Sequence, residues 1–293
     1  MINFMKYKLL YFIFSGIFLL PGIFFLLRFG LKPSLDFTGG TLLELTVQTD
    51  LDSLRSAIEP EMPVNSLQQS GPNQYLLRAG VIDQQQNTDL QAKLGGQFGE
   101  VQERRFETIG PTLGKELIRK TLVGILLVTG FILYYIAIRF KSLKYGICAV
   151  LAMLHDSLIL LGMFSFLGVY FGVEIDAMFV TAMLTILSFS VHDTIVVYDR
   201  IRESRKLHPQ LPLVTIINQA VTATLGRSIN NSLTIIFMLL SLYLLGGATT
   251  KWFIFALLIG TISGTYSSTF TAAPLLVLWE ELQLKKHHTP GVW

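Results

Sequence analysis

Six long apolar runs constrain this chain more than any other feature of its sequence. A bilayer core about 30 Å thick is crossed by about 20 predominantly apolar helical residues. Leu9–Leu27, Thr121–Ile138, Tyr145–Tyr170, Ile175–Val197, Ser228–Leu245 and Trp252–Trp279 each meet that requirement. Charged residues make up only 15% of the chain, against about 25% in ordinary soluble domains, and the apolar residues lie in blocks instead of alternating with polar ones. These features exclude a disordered chain and an ordinary soluble enzyme. A disulfide scaffold is excluded too, because Cys148 is the single cysteine. Lys6 and Lys8 precede the first run as they would in a signal peptide. The run is long, however, and no small-x-small cleavage site follows before Arg28, so it reads as an uncleaved anchor.

Basic residues orient the spans. Lys6 and Lys8 stand before the first span, Arg139, Lys141 and Lys144 join the second to the third, and Arg200, Arg202, Arg205 and Lys206 follow the fourth. Lys285 and Lys286 follow the sixth. An N-in, C-in topology puts all four groups in the cytoplasm, as the positive-inside rule demands. The turns Phe171–Glu174 and Gly246–Lys251 then face outward. The net charge of +3 belongs to these flanks and does not call for nucleic acid.

The stretch between the first two spans is rich in Gln, Asn, Asp, Gly and Pro and lies outside the cytoplasm in this topology. Strands are expected at Thr41–Thr49, Val64–Gln69, Gln74–Ala79 and Glu100–Ile109, with the turn signal Gly71-Pro72-Asn73 between the middle two. Helices are expected at Leu51–Ile58 and from a cap at Asn87 or Thr88 to Leu94, before Gly95-Gly96. The order βαββαβ describes a ferredoxin-like split βαβ unit. The expected fold is therefore a polytopic α-helical membrane protein of six transmembrane helices, with one extracytoplasmic α+β domain between helices 1 and 2. Its divisions are residues 1–34 (N-terminal segment and first span), 35–117 (outer domain), 118–284 (five-helix region) and 285–293 (cytoplasmic tail).

No zinc-type Cys/His spacing, phosphate-binding glycine loop or Gly-x-Ser-x-Gly elbow occurs in the chain. His287-His288 reads as a solvated pair. No cofactor, metal or enzymatic activity is expected, and the outer domain reads as an interaction module.

Carboxylates inside membrane helices cost at least about 2.5–3.5 kcal/mol, so they face protein or water and mark pathways. Asp156 in the third span and Asp193 in the fourth are of this kind. Asp193 lies toward the cytoplasmic end of its span, where Arg227 of the fifth helix can meet it, 227 − 193 = 34 residues later. Arg227, Asn230, Asn231 and Thr234 follow the i, i+3, i+4, i+7 pattern of one helical face, and a polar face of this kind is not expected toward lipid. The residues alone allow a structural ion pair, a snorkelling arginine or a proton relay. His155 and Asp156 sit near mid-membrane, where an interhelical hydrogen bond is the simpler account. Asp199, beside Arg200 and Arg202, reads as an interfacial structural residue. Gly260, Ser263, Gly264, Ser267 and Thr271 give the sixth helix a small-residue face fit for close packing.

The motif Leu35-Asp36-Phe37-Thr38-Gly39-Gly40 resembles the opening motif of the SecF branch of the SecD/SecF family of bacterial export proteins. The stretch from Ser188 to Glu203, with His192-Asp193 and its end Asp199-Arg200-Ile201-Arg202-Glu203, resembles that family still more closely. His155-Asp156-Ser157-Leu158-Ile159, Arg227-Ser228-Ile229 with Asn231-Ser232-Leu233-Thr234, and Leu244-Leu245-Gly246-Gly247 add matches in register. His192 departs from the pattern, since relatives carry Asn or Tyr there, and this bears on the local proton chemistry.

The resemblance implies a membrane protein of the resistance-nodulation-division superfamily in the bacterial plasma membrane. Its implied partners are a separate SecD chain, the SecYEG channel with SecA, and preproteins drawn outward at the expense of the proton gradient. It implies a proton relay at Asp193 and Arg227, with His155, Asp156, His192, Asn230, Asn231 and Thr234 as further relay or structural groups. A superfamily transporter of small molecules or ions is the alternative, though a transporter working alone needs paired halves and one half is present here. A purely structural scaffold is a third reading. Sodium stays open beside the proton as coupling ion.

A cysteine placed at Gln85, after replacement of Cys148, is expected to label only from outside the cell. Labelling from the cytoplasmic side alone would overturn the topology.

Overall fold

The computed structural model of the protein describes residues 3–287. The chain divides into two compact units, Pro33–Val123 and a helical unit formed by the chain on either side of it. A 3-10 turn at Phe4–Tyr7 leads into α1 (Lys8–Phe29). A single helical turn, α2 (Leu35–Thr38), then precedes β1 (Gly40–Val47), α3 (Leu51–Ile58), β2 (Val64–Gly71), β3 (Gln74–Ala79), α4 (Gln84–Phe98) and β4 (Val101–Ile109). The strands form one four-stranded sheet in the order β2-β3-β1-β4, and every pairing is antiparallel. Central β1 alternates, so that Leu43, Leu45 and Val47 share the buried face, where Leu54 and Ile58 of α3 and Leu90 and Leu94 of α4 close the core.

The glycine pair after α2 has a mechanical reason. Ser34 caps the turn by accepting the Asp36 N–H at 3.3 Å. The chain then reverses through Gly39 at φ +70° and Gly40 at φ +119°, a region that residues with a Cβ rarely enter. A Cβ at Gly40 would also stand 2.8 Å from the Ala79 carbonyl oxygen of β3. Gly114 admits no side chain either, because its Cβ would lie 2.5 Å from the Phe37 carbonyl oxygen.

The second helix of this unit departs from expectation. It starts at Gln84, and its cap is Asp83. The Asp83 carboxylate accepts the Gln86 N–H at 2.8 Å while Gln86 Oε1 accepts the Asp83 N–H at 2.9 Å, a reciprocal box that satisfies two otherwise orphaned donors. Asn87 is instead buried inside the helix, donating its amide to Glu103 at 2.7 Å. Gly95 and Gly96 are helical, and the helix ends at Phe98 before Gly99 at φ +87°. Across the unit, α3 is capped by Asp50, whose carboxyl is held below its ordinary value by the hydroxyl and backbone N–H of Ser53. A depressed folded-state value contributes stability above the unfolded pKa, and that contribution is lost as pH falls through the lowered one.

The remaining helices are α5 (Pro111–Phe140), α6 (Leu143–Phe171), α7 (Ala177–Leu207), α8 (Leu213–Leu245), α9 (Lys251–Ser267) and α10 (Ala273–His287). Among the described residues, six helical stretches are long and apolar enough to cross a membrane: Phe4–Phe29, Thr112–Phe140, Leu143–Phe171, Ala177–Leu207, Leu213–Leu245 and Lys251–Leu284. The helices reach well beyond the apolar runs, most of all α8, which begins at Leu213 where the run begins at Ser228. Half of the apolar window is buried in α6 and in α7 and 56% in the last span, against 6% in α1 and α5 and 17% in α8. Three spans thus form the centre, and α1, α5 and α8 present most of their apolar surface outward.

The sixth span is not one α-helix. A π-helical turn, Ser268–Ala272, separates α9 from α10. Pro274 explains it, because it has no N–H to return to the preceding turn and its ring crowds the carbonyl behind it. The Tyr198 hydroxyl of α7 donates to the Ala272 carbonyl at 3.0 Å, which ties the turn to α7. Helix α10 continues to His287, through the start of the expected tail; His288 and the rest of the tail lie outside the described residues.

Substituting Gly40 by Ala is expected to lower the thermal stability of the purified protein, since strain in this region costs of order 1–3 kcal/mol. Gly95→Ala, with open space at its Cβ, is expected to raise it by about 0.5–1 kcal/mol. Thermal unfolding of the two variants in the same detergent checks both signs.

Candidate functional site

Both intramembrane carboxylates are buried, and each is held by serine hydroxyls. Asp156 of α6 is wholly inaccessible. Its Oδ2 accepts from Ser190 of α7 at 2.6 Å and from Ser267 of α9 at 2.5 Å. Its Oδ1 accepts from Ser263 of α9 at 2.6 Å and lies 3.1 Å from His155 Nδ1. Three helices therefore meet at one side chain. Serine can do this because its short side chain leaves the backbones close, and the glycines of α9 bring them closer. A Cβ at Gly264 would lie 3.2 Å from the Ser190 Cβ, and one at Gly260 would collide with the Ile186 side chain. The small-residue face expected on the last span is thus a seam within this chain, against α6 and α7. Thr271, at its end, is buried, and among the described residues its hydroxyl has no partner.

Asp193 lies three residues after Ser190 on α7, about one helical turn further on. Its Oδ2 accepts from Ser228 of α8 at 2.6 Å. The expected ion pair with Arg227 is absent among the described residues, although Arg227 is near enough for its charge to reach the carboxylate. Arg227 is exposed and lines a cavity of about 650 Å³ with Val196, Asp199, Arg200, Glu203, Ala223 and Thr224. The packed face of α8 carries Thr224, Ser228 and Ser232, and Ser232 accepts from Thr265 of α9 at 2.7 Å. Residues adjacent on a helix point about 100° apart, so the face that turns Ser228 inward turns Arg227 outward. Asn230, Asn231 and Thr234 accompany Arg227 on the outer face, and His192 is exposed on α7. The polar stripe expected to be covered is therefore open in the single chain.

Several charges at the ends of α5 and α7 pair with one another. Asp199 binds Arg139 at 3.1 Å, Arg200 binds Glu203 at 2.7 Å, and Arg202 donates to the Arg139 carbonyl at 2.8 Å. Asp199 thus takes a partner from another helix rather than from its own arginines. Asp36, Phe37, Gly39 and Gly40 belong to the turn before β1 described above. Among the described residues, no group of three His, Cys, Asp or Glu is placed to hold a metal ion. Sequence reasoning assigned Ser263 and Ser267 to packing alone and missed the roles of Ser190, Ser228 and Ser232. Their signal was the spacing: Ser190 precedes Asp193 by three residues, and Ser228 and Ser232 are four apart.

This arrangement is that of a multi-span helical membrane protein whose central helices are joined through buried carboxylates and which carries a sheet unit between its first two spans. The family described as Protein export membrane protein SecD/SecF, C-terminal, matches residues 89–282, and the SecD/SecF GG motif matches residues 24–50. The chain belongs to the SecD/SecF family. A protein translocase subunit SecF from Thermobaculum terrenum is 43% identical, over 96% of this chain and 94% of its own length. One from Anaerolinea thermophila is 36% identical over the same shares, 96% and 94%. The crystal structure of SecDF, a translocon-associated membrane protein from Thermus thermophilus, is 31% identical, with a TM-score of 0.82 over 96% of this chain. This chain spans 39% of that one.

Ser228→Ala should leave the buried Asp193 carboxylate without its hydroxyl donor and cost about 1–3 kcal/mol. Arg227→Met, at an exposed position, should change stability by no more than about 0.5 kcal/mol. Thermal unfolding in lipid nanodiscs compares the two.

Proposed function

We propose that the chain is a SecF-type translocase subunit that works with a SecD chain to promote preprotein movement through SecYEG, driven by the proton gradient after SecA. The observation that carries this reading is the full-length likeness to SecF subunits at 43% and 36% identity. These names favour export over the transport of small molecules or ions, and they support a non-enzymatic role. A relative named SecDF, 33% identical over 86% of this chain, is matched over only 35% of its own length, which supports a SecD-like half as partner. The open stripe of Arg227, Asn230, Asn231 and Thr234 on α8 supports the same partner, because polar side chains facing lipid are costly.

In this reading residues 1–34 hold the first span, 35–117 the outer domain, 118–284 the five-helix region and 285–293 the tail. The outer domain is a ferredoxin-like split βαβ unit, supported by its βαββαβ element order and its antiparallel sheet β2-β3-β1-β4. It handles emerging preprotein and does no covalent chemistry. Both termini face the cytoplasm and the membrane is the bacterial inner one, as the basic flanks indicate.

Asp193 is the proton-responsive group. Ionised, it accepts the Ser228 hydroxyl with Arg227 beside it; protonated, it loses its attraction for the arginine charge and its bond to Ser228 is no longer charge-assisted, so α7 is freed to shift against α8. One elementary charge crossing 100 mV is worth about 2.3 kcal/mol, enough to bias a two-state helix arrangement roughly 50-fold. Asp193→Asn is expected to abolish gradient-dependent export enhancement in energised vesicles while assembly with SecD persists. Asp193→Glu, which keeps the titrating group, should retain part of it. Full gradient-dependent export by Asp193→Asn would sink the assignment.

A further inference from the structure

Asp156 presents a charge problem that export by itself does not explain. An ionised carboxylate offers about four acceptor sites on its two oxygens, and four groups occupy them: Ser190, Ser267, Ser263 and His155 Nδ1. Ionised, the carboxylate can accept from all four at once, whereas a proton on it would require a serine hydroxyl to turn round and accept. Yet an isolated buried negative charge is expensive, and among the described residues no lysine or arginine reaches it.

The groups facing the pair from each packed element bear this out. Helix α7 contributes Ser190 and, a turn further, Asp193, which is held by Ser228 of α8; His192 beside it is exposed. Helix α9 contributes Ser263 and Ser267, and its Tyr266 donates to the Tyr11 carbonyl of α1 at 2.8 Å. The π turn has no titratable side chain. At the helix ends, Lys8 pairs with Glu281, and Lys144 and Arg205 pair with Glu280.

The missing positive charge has one candidate seat. His155 is 7% exposed, and among the described residues its buried Nε2 has no hydrogen-bond partner. With Asp156 acting only as acceptor, Nδ1 must be the donor toward it, so Nε2 of the neutral ring carries a bare lone pair.

We propose that His155 and Asp156 form a second proton-binding site, separate from Asp193, that takes up its proton at Nε2 of His155. Hydronium gives up the proton to become water, one N–H bond forms at Nε2, and no other bond breaks. Uptake turns a lone buried carboxylate into an imidazolium–carboxylate pair with no net charge. Ser190 and Asp193 share one turn of α7, so the state of this pair is felt at the helix that carries the proposed gradient-responsive carboxylate. The coupling to export rests on the function proposed above; the protonation itself does not.

The test is nitrogen-15 NMR of the full chain in lipid bilayers, with labelled histidine, from about pH 5 to pH 9. The chain has five histidines, and His155→Gln identifies the relevant signals by their loss. A ring bearing hydrogen only at Nδ1 at high pH, which gains a second N–H on acidification, is the expected result. Asp156→Asn should suppress that doubly protonated form, while Asp193→Asn should abolish export enhancement and leave the titration in place. A His155 ring that keeps one proton throughout the range overturns the proposal even if Asp193 behaves as expected. Loss of the titration in Asp193→Asn would overturn it as well, because the two would then be a single site.

Discussion

A carboxylate placed in the middle of an apolar helix must find its donors within the protein, and the helical unit is organised around that requirement. Asp156 draws hydroxyls from two other helices to within 2.6 Å. Those contacts are possible only where backbones approach closely, which is why glycine and serine alternate along α9. The packing of α6, α7 and α9 follows from this satisfaction as much as from apolar burial. Apolar contact with a neighbouring helix offers little advantage over contact with lipid tails. A hydrogen bond to a carboxylate does offer one, because lipid provides no donor.

Helix α7 stands between two such carboxylates. Its Ser190 is tied to α6, and one turn later its Asp193 is tied to α8 through a single serine. The two attachments differ in strength. Asp156 has four contacts from three residues on other helices and one on its own. Asp193 has, among the described residues, one hydroxyl donor and a nearby arginine that faces outward into an open cavity. The side of α7 toward α6 therefore carries the more densely bonded carboxylate, and the side toward α8 the more sparsely bonded one. The sparse burial of α8, with polar residues on its outer face, fits an element whose environment is completed by another chain.

The sheet unit obeys different physics. Its core is an ordinary alternating one, with Leu43, Leu45 and Val47 on the inner side of the central strand. The motif shared with the family lies at its entrance, where two glycines reverse the chain at positive φ beside the β3 backbone. Those glycines act through backbone shape and contribute no chemistry. Conformational freedom and the lack of a Cβ are both needed, and no other residue supplies the two together.

Much of this was legible in the residues. Six apolar runs determined the number of spans, because hydrocarbon thickness and helical rise allow one reading. Alternation and turn residues determined the strands, and Asp156 and Asp193 announced themselves as charges where charges are costly. The details that depend on rotation about a helix axis were decided by tertiary structure. Arg227 and Ser228 are neighbours in sequence, and the opposite charge made the arginine the natural partner of Asp193. Packing of α8 on α7 and α9 turned the serine inward instead, because a small side chain fits a close interface and a guanidinium does not. The cap at Asp83 and the π turn before Pro274 were present as local signals, but stronger nearby patterns masked them. Helical periodicity specifies which residues share a face; only the neighbouring helices specify which face is covered.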